Sequence, residues 1–153
     1  MNDDFRDFLL ALVHAGAEFL VVGAHAMAVH GIPRATGDLD IWIRPDRTNA
    51  ARVWDAIVAF GAPVGAMGIS REDLVVQGTV VQLGLPPRRI DLLTQLSGLA
   101  FDEAWRHRVP VTVEQEEIPF LGREDLIRNK RASGRPKDVA DLDALEGGSR
   151  QGR

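Results

Sequence analysis

The chain has 153 residues, of which 45% are hydrophobic and 26% are charged, a balance typical of one globular domain with a single hydrophobic core. The absence of cysteine excludes disulfides, zinc thiolates and thiol catalysis, and the formal net charge of −4 argues against a broad nucleic-acid-binding surface. No apolar stretch is long enough to cross a bilayer, and the N-terminus carries two acids, Asp3 and Asp4, where a secretory signal is basic, so we expect a cytoplasmic protein.

Helices and strands alternate through the first part of the chain. Apolar residues recur at helical spacing or form short buried runs, and Gly16, Gly31 and Gly61 mark the points where helices end. In chain order, these patterns predict a helix over residues 5–13, a strand over 18–22, a helix over 24–30, a strand over 39–43 and a helix over 47–60.

The second part begins with a glycine-rich loop, residues 61–78, in which SREDLV predicts one capped helical turn. Beyond it we predict strands over 79–83 and 88–93, a helix over 101–108, a β pair of 109–113 with 118–121, and two closing helices over 123–132 and 136–145. This order predicts an α+β (α/β) fold with a mixed sheet flanked by helices. We expect a single domain over residues 1–146 and a disordered tail over 147–153.

Two aspartates interrupt the strand predicted at residues 39–43. Residues i and i+2 of a strand project from one side, so Asp38 and Asp40 point the same way while Leu39 faces the core. Like charges this close are unfavourable unless a positive group lies between them. Magnesium accepts hard oxygen ligands together with substrate phosphates, which makes a divalent cation the expected positive group.

A third carboxylate, Asp91, lies alone in the apolar strand RRIDLL. Two-metal sites usually need such an additional acid, and a neighbouring strand would bring Asp91 beside Asp38 and Asp40. Asp91 could instead form a salt bridge with Arg88 or Arg89, and the sequence alone leaves both interpretations open.

Small residues stand where the strand FLVV meets the next helix. Gly23 and Ala24 would allow backbone amides to approach a phosphate, although Gly23 could simply end the strand. His25, which begins the helix, could touch a phosphate or a base, or could cap the helix at the surface. Together with the three acids, these residues supply the parts that phosphoryl or nucleotidyl transfer needs.

Two stretches resemble a known family. VVGAHAMAVHGIPRATGDLDIWI resembles the opening motif of the DNA polymerase β-like nucleotidyltransferase superfamily, in which a Gly-Gly or Gly-Ser pair precedes D-x-D. It is more similar still to the AbiEii-type branch, small bacterial proteins linked to toxin–antitoxin and phage-defence systems, whose R-x-T-x-D-x-D run is matched by Arg34, Thr36, Asp38 and Asp40. REDLIRNKRASGRPKDVADLDAL resembles the C-terminal signature of that branch, with matches at Lys130, Arg135, Lys137, Asp138 and Asp141.

The resemblance covers roughly residues 17–146 and implies a minimal nucleotidyltransferase fold with two C-terminal helices. It departs from the family at Ala24, where a serine would offer its hydroxyl to a phosphate. The implied metal ligands for Mg²⁺ or Mn²⁺ are Asp38, Asp40 and Asp91. The implied nucleotide-binding residues are Gly23, Ala24, Arg34, Thr36, Arg135, Lys137, Asp138 and Asp141, and His25 is added to them from its position at the start of the helix.

Lys130 and Lys137 are the chain's two lysines, and they receive different predictions. Lys130 shares a helical face with Leu126 and Ile127, so its stem can pack while its ammonium reaches inward to the triphosphate. Lys137 lies near the start of a helix, where a positive charge opposes the helix dipole. We therefore expect Lys130 to be catalytic, and Lys137 to be secondary.

The expected activity is transfer of a nucleoside monophosphate from an NTP to a hydroxyl of RNA, such as tRNA, of a protein or of a small molecule. The main alternative is a non-catalytic nucleotide- or partner-binding module of a toxin–antitoxin pair, and a metal-dependent phosphohydrolase is a third. Larger relatives carry an added helical domain that holds the acceptor. We therefore expect a second subunit, a toxin or antitoxin partner, or the acceptor itself to complete the nucleotide cleft, and we expect no membrane partner.

Overall fold

The computed structural model describes residues 1–33 and 37–151, so the predicted nucleotide-binding residues Arg34 and Thr36 lie outside the described residues. The described helices are α1 (Asp3–His14), α2 (Gly23–Val29), α3 (Arg47–Phe60), α4 (Val64–Met67), α5 (Phe101–Arg106), α6 (Arg123–Ser133) and α7 (Pro136–Gln151). The described strands are β1 (Phe19–Val22), β2 (Asp38–Ile43), β3 (Val80–Leu83), β4 (Arg89–Leu93), β5 (Val109–Val113) and β6 (Glu116–Phe120).

Six strands of the described chain form one mixed sheet in the order β3-β4-β2-β1-β6-β5. The two hairpins, β3 with β4 and β5 with β6, are antiparallel, as is the central pair β1 with β2. The two remaining contacts, β2 with β4 and β1 with β6, are parallel. Parallel pairing needs a long crossover connection, and the chain between β2 and β4 supplies it with α3, α4 and β3.

Helices α1 and α3 pack against each other beside the sheet. The side chain of Asn2 accepts a hydrogen bond from the backbone N–H of Phe5 and so caps α1, while Gly61 ends α3 in the left-handed conformation. Phe8 of α1 meets Phe60 of α3 edge to face, with ring centroids 5.3 Å apart. The core continues into the sheet through fully buried side chains of one face of β2, Leu39, Ile41 and Ile43.

The predicted fold class is confirmed, because the structure is an α+β arrangement with a mixed sheet flanked by helices. The predicted turn at SREDLV is a 3₁₀ helix (Arg71–Val75) with a capping box between Ser70 and Asp73. α4 lies where only loop was expected, and α7 continues to Gln151, past its predicted end at Leu145. The domain limits 1–146, with a disordered tail, stay a prediction. None of the described helices is both long and apolar enough to cross a membrane.

Candidate active site

The parallel pairing of β2 with β4 brings the three predicted acids together. In the register of this pair, Asp38 lies opposite Arg89 and Asp40 lies opposite Asp91. Because alternate residues share a face of the sheet, all four side chains project to the same side. Two strands that are distant in sequence therefore place three carboxylates and one guanidinium in a square on one sheet face.

These four residues lie in the wall of a cavity of about 1060 Å³. The opposite part of the wall comes from the β1–α2 junction, from the end of β4 and the residues that follow it, and from the α6–α7 pair. Lining residues from these parts include Gly23, Ala24, Met27, Leu93, Gln95, Leu96, Ser97, Asn129, Lys130, Ser133, Arg135, Lys137 and Asp141. Small-ligand sites typically occupy 300–1,000 Å³, so the cavity is large enough for a nucleotide and part of a second substrate.

The pKa of Asp40 is strongly raised. Burial, together with the negative charges of Asp91 and Asp38, raises the pKa of Asp40 to about 6, and the positive charges of Lys137 and Arg89 oppose that rise. The cluster therefore holds more negative charge than its neighbours neutralise. Such a carboxylate gains free energy from any further cation that approaches it.

Gly23 is required where α2 begins, close to Asp40. Its φ is +66°, a conformation that residues with a side chain rarely adopt, and a Cβ at this position would overlap Oδ2 of Asp40. The same substituent would lie 3.2 Å from both Cβ and Cγ of Asp40. The absence of a side chain at Gly23 therefore allows the Asp40 carboxylate to lie directly against the backbone of the β1–α2 junction.

The sequence left open whether Asp91 pairs with Arg88 or with Arg89, and in the structure its partner is Arg89. Its Nη2 donates to Oδ2 of Asp38 at 2.7 Å, and its Nε lies 3.1 Å from Oδ1 of Asp91. Arg88 instead contacts Asp4 of α1 at 3.2 Å. The guanidinium of Arg89 thus bridges carboxylates on neighbouring strands.

The three acids have the oxygen donors of a magnesium site, but the guanidinium of Arg89 contacts two of them. In residues 1–33 and 37–151, no group of three or more His, Cys, Asp or Glu side chains is arranged to hold a metal ion as it stands. The donor set nevertheless fits a hard cation, because Asp40 and Asp91 are neighbours in register and the buried Oδ1 of Asp91 accepts no hydrogen bond. Asp38, Asp40 and Asp91 could therefore hold Mg²⁺ once Arg89 moves aside.

Of the three residues predicted to contact phosphate near β1, two line the cavity and the third does not. Gly23 and Ala24 line the cavity. His25 instead packs edge-on against Phe5, with ring centroids 5.6 Å apart, and its buried Nδ1 has no hydrogen-bond partner. Burial, with a smaller effect from the positive charge of the N-terminal amine, lowers the pKa of His25, so the ring stays neutral at pH 7.

The C-terminal motif residues form a buried ion cluster between α6 and α7. The ammonium of Lys130, only 5% exposed as a residue, lies 3.3 Å from Asp138 and 2.9 Å from Asp141. Asp138 is fully buried and also accepts hydrogen bonds from Arg135 and Ser133. Burial alone would raise the pKa of Asp138, but these donors and Lys130 hold that pKa well below its usual range.

Lys137 has the opposite environment to Lys130. It is exposed, it lines the cavity, and its positive charge lowers the pKa of Asp40, so it lies close enough to act on the acid cluster. The position next to Asp138 explains this placement, because the buried Asp138 fixes the first turn of α7. Both lysines line the cavity, but the ammonium of Lys130 is held in a buried ion cluster whereas Lys137 is exposed.

The guanidinium of Arg89 is the feature that sequence reasoning left unresolved. The signal was present, because Arg89 lies two residues before Asp91 and must share its strand face, as Asp38 does with Asp40. The sheet order was needed to show that this face also meets Asp38. Asn129 and Gln95, two further polar residues of the cavity wall, carried no comparable signal.

Comparison with known proteins supports the fold. The chain matches no protein-family profile, and it matches no curated protein sequence. Among solved structures it is similar to a candidate nucleotidyltransferase from Thermotoga maritima, with a TM-score of 0.58 and 15% sequence identity over 96% of this chain and 91% of that one. At this identity the likeness concerns architecture, and it extends over nearly the full length of both chains. The chain therefore has a nucleotidyltransferase-like fold.

Proposed function

We propose that this protein is a metal-dependent nucleotidyltransferase that moves a nucleoside monophosphate from an NTP to a hydroxyl. The observation that carries the proposal is the register of β2 with β4, which places Asp40 beside Asp91 and Asp38 on the same face of the sheet. The position of this acid group in a nucleotide-sized cavity within a nucleotidyltransferase-like fold adds support. Three clustered carboxylates repel one another and cost stability, and a role in catalysis accounts for their presence together.

In the proposed reaction, the acceptor oxygen attacks the α-phosphorus and the bond to the β-phosphate oxygen breaks, so pyrophosphate leaves. Asp38, Asp40 and Asp91 would hold Mg²⁺, which when bound neutralises phosphate charge and polarises the reacting phosphoryl group. Asp91 would take the proton of the attacking hydroxyl, since it lies beside Asp40 in the cavity wall. Gly23 and Ala24 would leave room for the β- and γ-phosphates against the backbone.

The two lysines exchange roles in this proposal relative to the prediction from sequence. Lys137 is exposed to the cavity and its charge already acts on Asp40, which suits it to neutralise charge that develops on the triphosphate. The ammonium of Lys130 is bound by Asp138 and Asp141, so we assign it to positioning α6 and α7. Asp138 would act on the nucleotide only through the residues that it holds, because it is fully buried.

The acceptor remains a class rather than a compound: a hydroxyl of RNA, such as a tRNA end, of a protein or of a small molecule. The cavity is larger than a nucleotide needs, and polar residues from two sides, Gln95 and Asn129, line it. We propose that the acceptor, or a second protein chain such as a toxin–antitoxin partner or another copy of this one, covers this part of the cavity.

Incubation with each of the four NTPs tests the proposal. The NTPs would be labelled on the α- or γ-phosphate and supplied with Mg²⁺ and total RNA or cell extract. We expect α-label on an acceptor and release of pyrophosphate by wild type, and loss of both by Asp40→Asn. Asp55→Asn, which removes an exposed acid of α3 outside the cavity, is the matched control and should retain the activity.

Two results would contradict the assignment. Release of inorganic phosphate without a labelled acceptor would make the protein a phosphohydrolase. NTP binding that is measurable but yields no product with any acceptor would favour the binding-module alternative, in which Arg89 permanently compensates the acids.

A further inference from the structure

Arg89 and the three acids form two register pairs between β2 and β4, Asp38 with Arg89 and Asp40 with Asp91. Asp91 follows Arg89 two residues later on the same face. The side chain of Arg89 is 28% exposed, so the guanidinium is partly shielded from water and from dissolved salt. An ion pair in such a place is screened less than one on an open surface.

The guanidinium contacts the two acids unequally. Its Nη2 makes a well-formed bond of 2.7 Å to Asp38, but lies 3.4 Å from Oδ2 of Asp91. The Nε of Arg89 and Oδ1 of Asp91 are 3.1 Å apart, yet both atoms are buried without a hydrogen-bond partner. The contact with Asp91 is therefore one long hydrogen bond and a close charge pair, and it lacks the two short parallel bonds that make bidentate arginine pairs strong.

The other positively charged side chains near the cavity interact with different acids. Lys130 is bound by Asp138 and Asp141, and Arg135 donates to Asp138. Lys137 acts on Asp40, the acid that Arg89 does not directly contact in the described hydrogen bonds and ion pairs. Arg89 consequently contacts the carboxylates of Asp38 and Asp91, two of the three acids proposed to hold a divalent ion.

We infer that Arg89 is an internal counter-cation that bridges Asp38 and Asp91 in the metal-free protein and competes with a divalent ion for their carboxylates. The inference rests on the proposed function, because it concerns the same acids. Binding of a metal ion requires the guanidinium to leave both carboxylates, so a free ion binds weakly. An ion that arrives with a nucleotide binds better, since the phosphates offer the displaced guanidinium new oxygen partners within the cavity.

The test compares Mn²⁺ binding to metal-free wild type, Arg89→Gln and Arg88→Gln, measured from the electron paramagnetic resonance signal of free Mn²⁺ without nucleotide. Arg88→Gln is the matched control, because it removes the same charge from the adjacent residue, whose partner is Asp4 on α1. We expect Arg89→Gln to bind Mn²⁺ about tenfold more tightly than wild type. This is the change in affinity expected when a competing group held by about one hydrogen bond to a charged group is removed. Arg88→Gln should stay within about threefold of wild type, as expected of an exposed pair.

A second measurement follows thermal unfolding in EDTA. Arg89→Gln should unfold at a lower temperature than Arg88→Gln, and adding Asp91→Asn should restore part of the loss, because one of three repelling charges is then removed. If Arg89→Gln does not fold, Arg89→Lys replaces it, and the same direction is expected since a compact ammonium cannot span both acids.

The outcomes separate this inference from the proposed function. If wild type binds Mn²⁺ and Arg89→Gln binds it equally or more weakly, the proposed competition is wrong, while the metal-dependent enzyme is not contradicted. No Mn²⁺ binding by any variant, with or without NTP, overturns both.

Discussion

Replacement of Gly23 by alanine tests whether the β1–α2 junction positions Asp40. The new Cβ would meet two problems, a backbone φ of +66° and overlap with Oδ2 of Asp40. The first costs roughly 1–2 kcal/mol of folding free energy. The second cannot be relieved by the backbone alone, so the Asp40 carboxylate must move.

Gly31 provides the matched control at the other end of α2. Its φ is +91°, and a Cβ there would meet no atom within 4 Å. Gly31→Ala therefore carries the backbone cost without the collision. We expect both variants to lose about 2–8 °C in melting temperature, since 1 kcal/mol corresponds to roughly 2–4 °C in a chain of this size.

The two variants should differ in activity. Catalytic groups must be held within about 0.5 Å of their productive positions, and a displacement of about 1 Å can cost on the order of 100-fold in rate. Gly23→Ala should therefore lower the rate of nucleotidyl transfer by 10- to 100-fold, as roughly expected from that displacement, whereas Gly31→Ala should change it by less than about threefold. Equal rates in the two variants, measured on folded protein, would refute the positioning of Asp40 by Gly23.

Three further predictions concern other parts of the molecule. Lys137→Met should lower the transfer rate about 100-fold with little change in melting temperature. Lys130→Met should instead lower the melting temperature by roughly 10 °C, because two acids lose their buried partner. The opposite pattern in parallel assays would favour Lys130 as the catalytic lysine. The folded pKa of Asp40, about 6, lies above its ordinary value, so the metal-free protein should lose stability as the pH rises from about 4 to 6. Urea unfolding across this range should show the slope in wild type and not in Asp40→Asn. Asn49→Ala should cost about 3 kcal/mol in the same urea assay without affecting catalysis, since the buried side chain makes three hydrogen bonds to the backbone of two other residues; a loss below 1 kcal/mol would contradict that reasoning.

Local patterns in the sequence predicted the elements well where periodicity and end signals agree. The helix over 47–60 has the predicted limits, because Asp46 caps its start and Gly61 its end. α4 was missed because four residues are too few to show a helical period. The end of α7 was placed too early because glycines after Glu146 favour a helix end, yet the backbone continues to Gln151.

For the site too, features set by local geometry could be predicted from the sequence, and features set by packing between distant elements could not. The shared face of Asp38 and Asp40 follows from strand geometry alone, and so does that of Arg89 and Asp91. Which strands are neighbours depends on the whole sheet, so the bridge from Arg89 to Asp38 was beyond reach. The inward packing of Lys130 was predicted from its helical face, but its partners Asp138 and Asp141 were not, because they depend on how α6 packs on α7.

The pairing of β2 with β4 also has a consequence for how the chain acquires its site. The two strands are separated by α3, α4 and β3, so Asp40 and Asp91 become neighbours only after a long loop has closed. Such non-local parallel contacts form late and slowly compared with hairpins such as β5 with β6. A nascent or partly folded chain therefore lacks the complete cluster of three acids, which forms only together with the β2–β4 pair of the sheet.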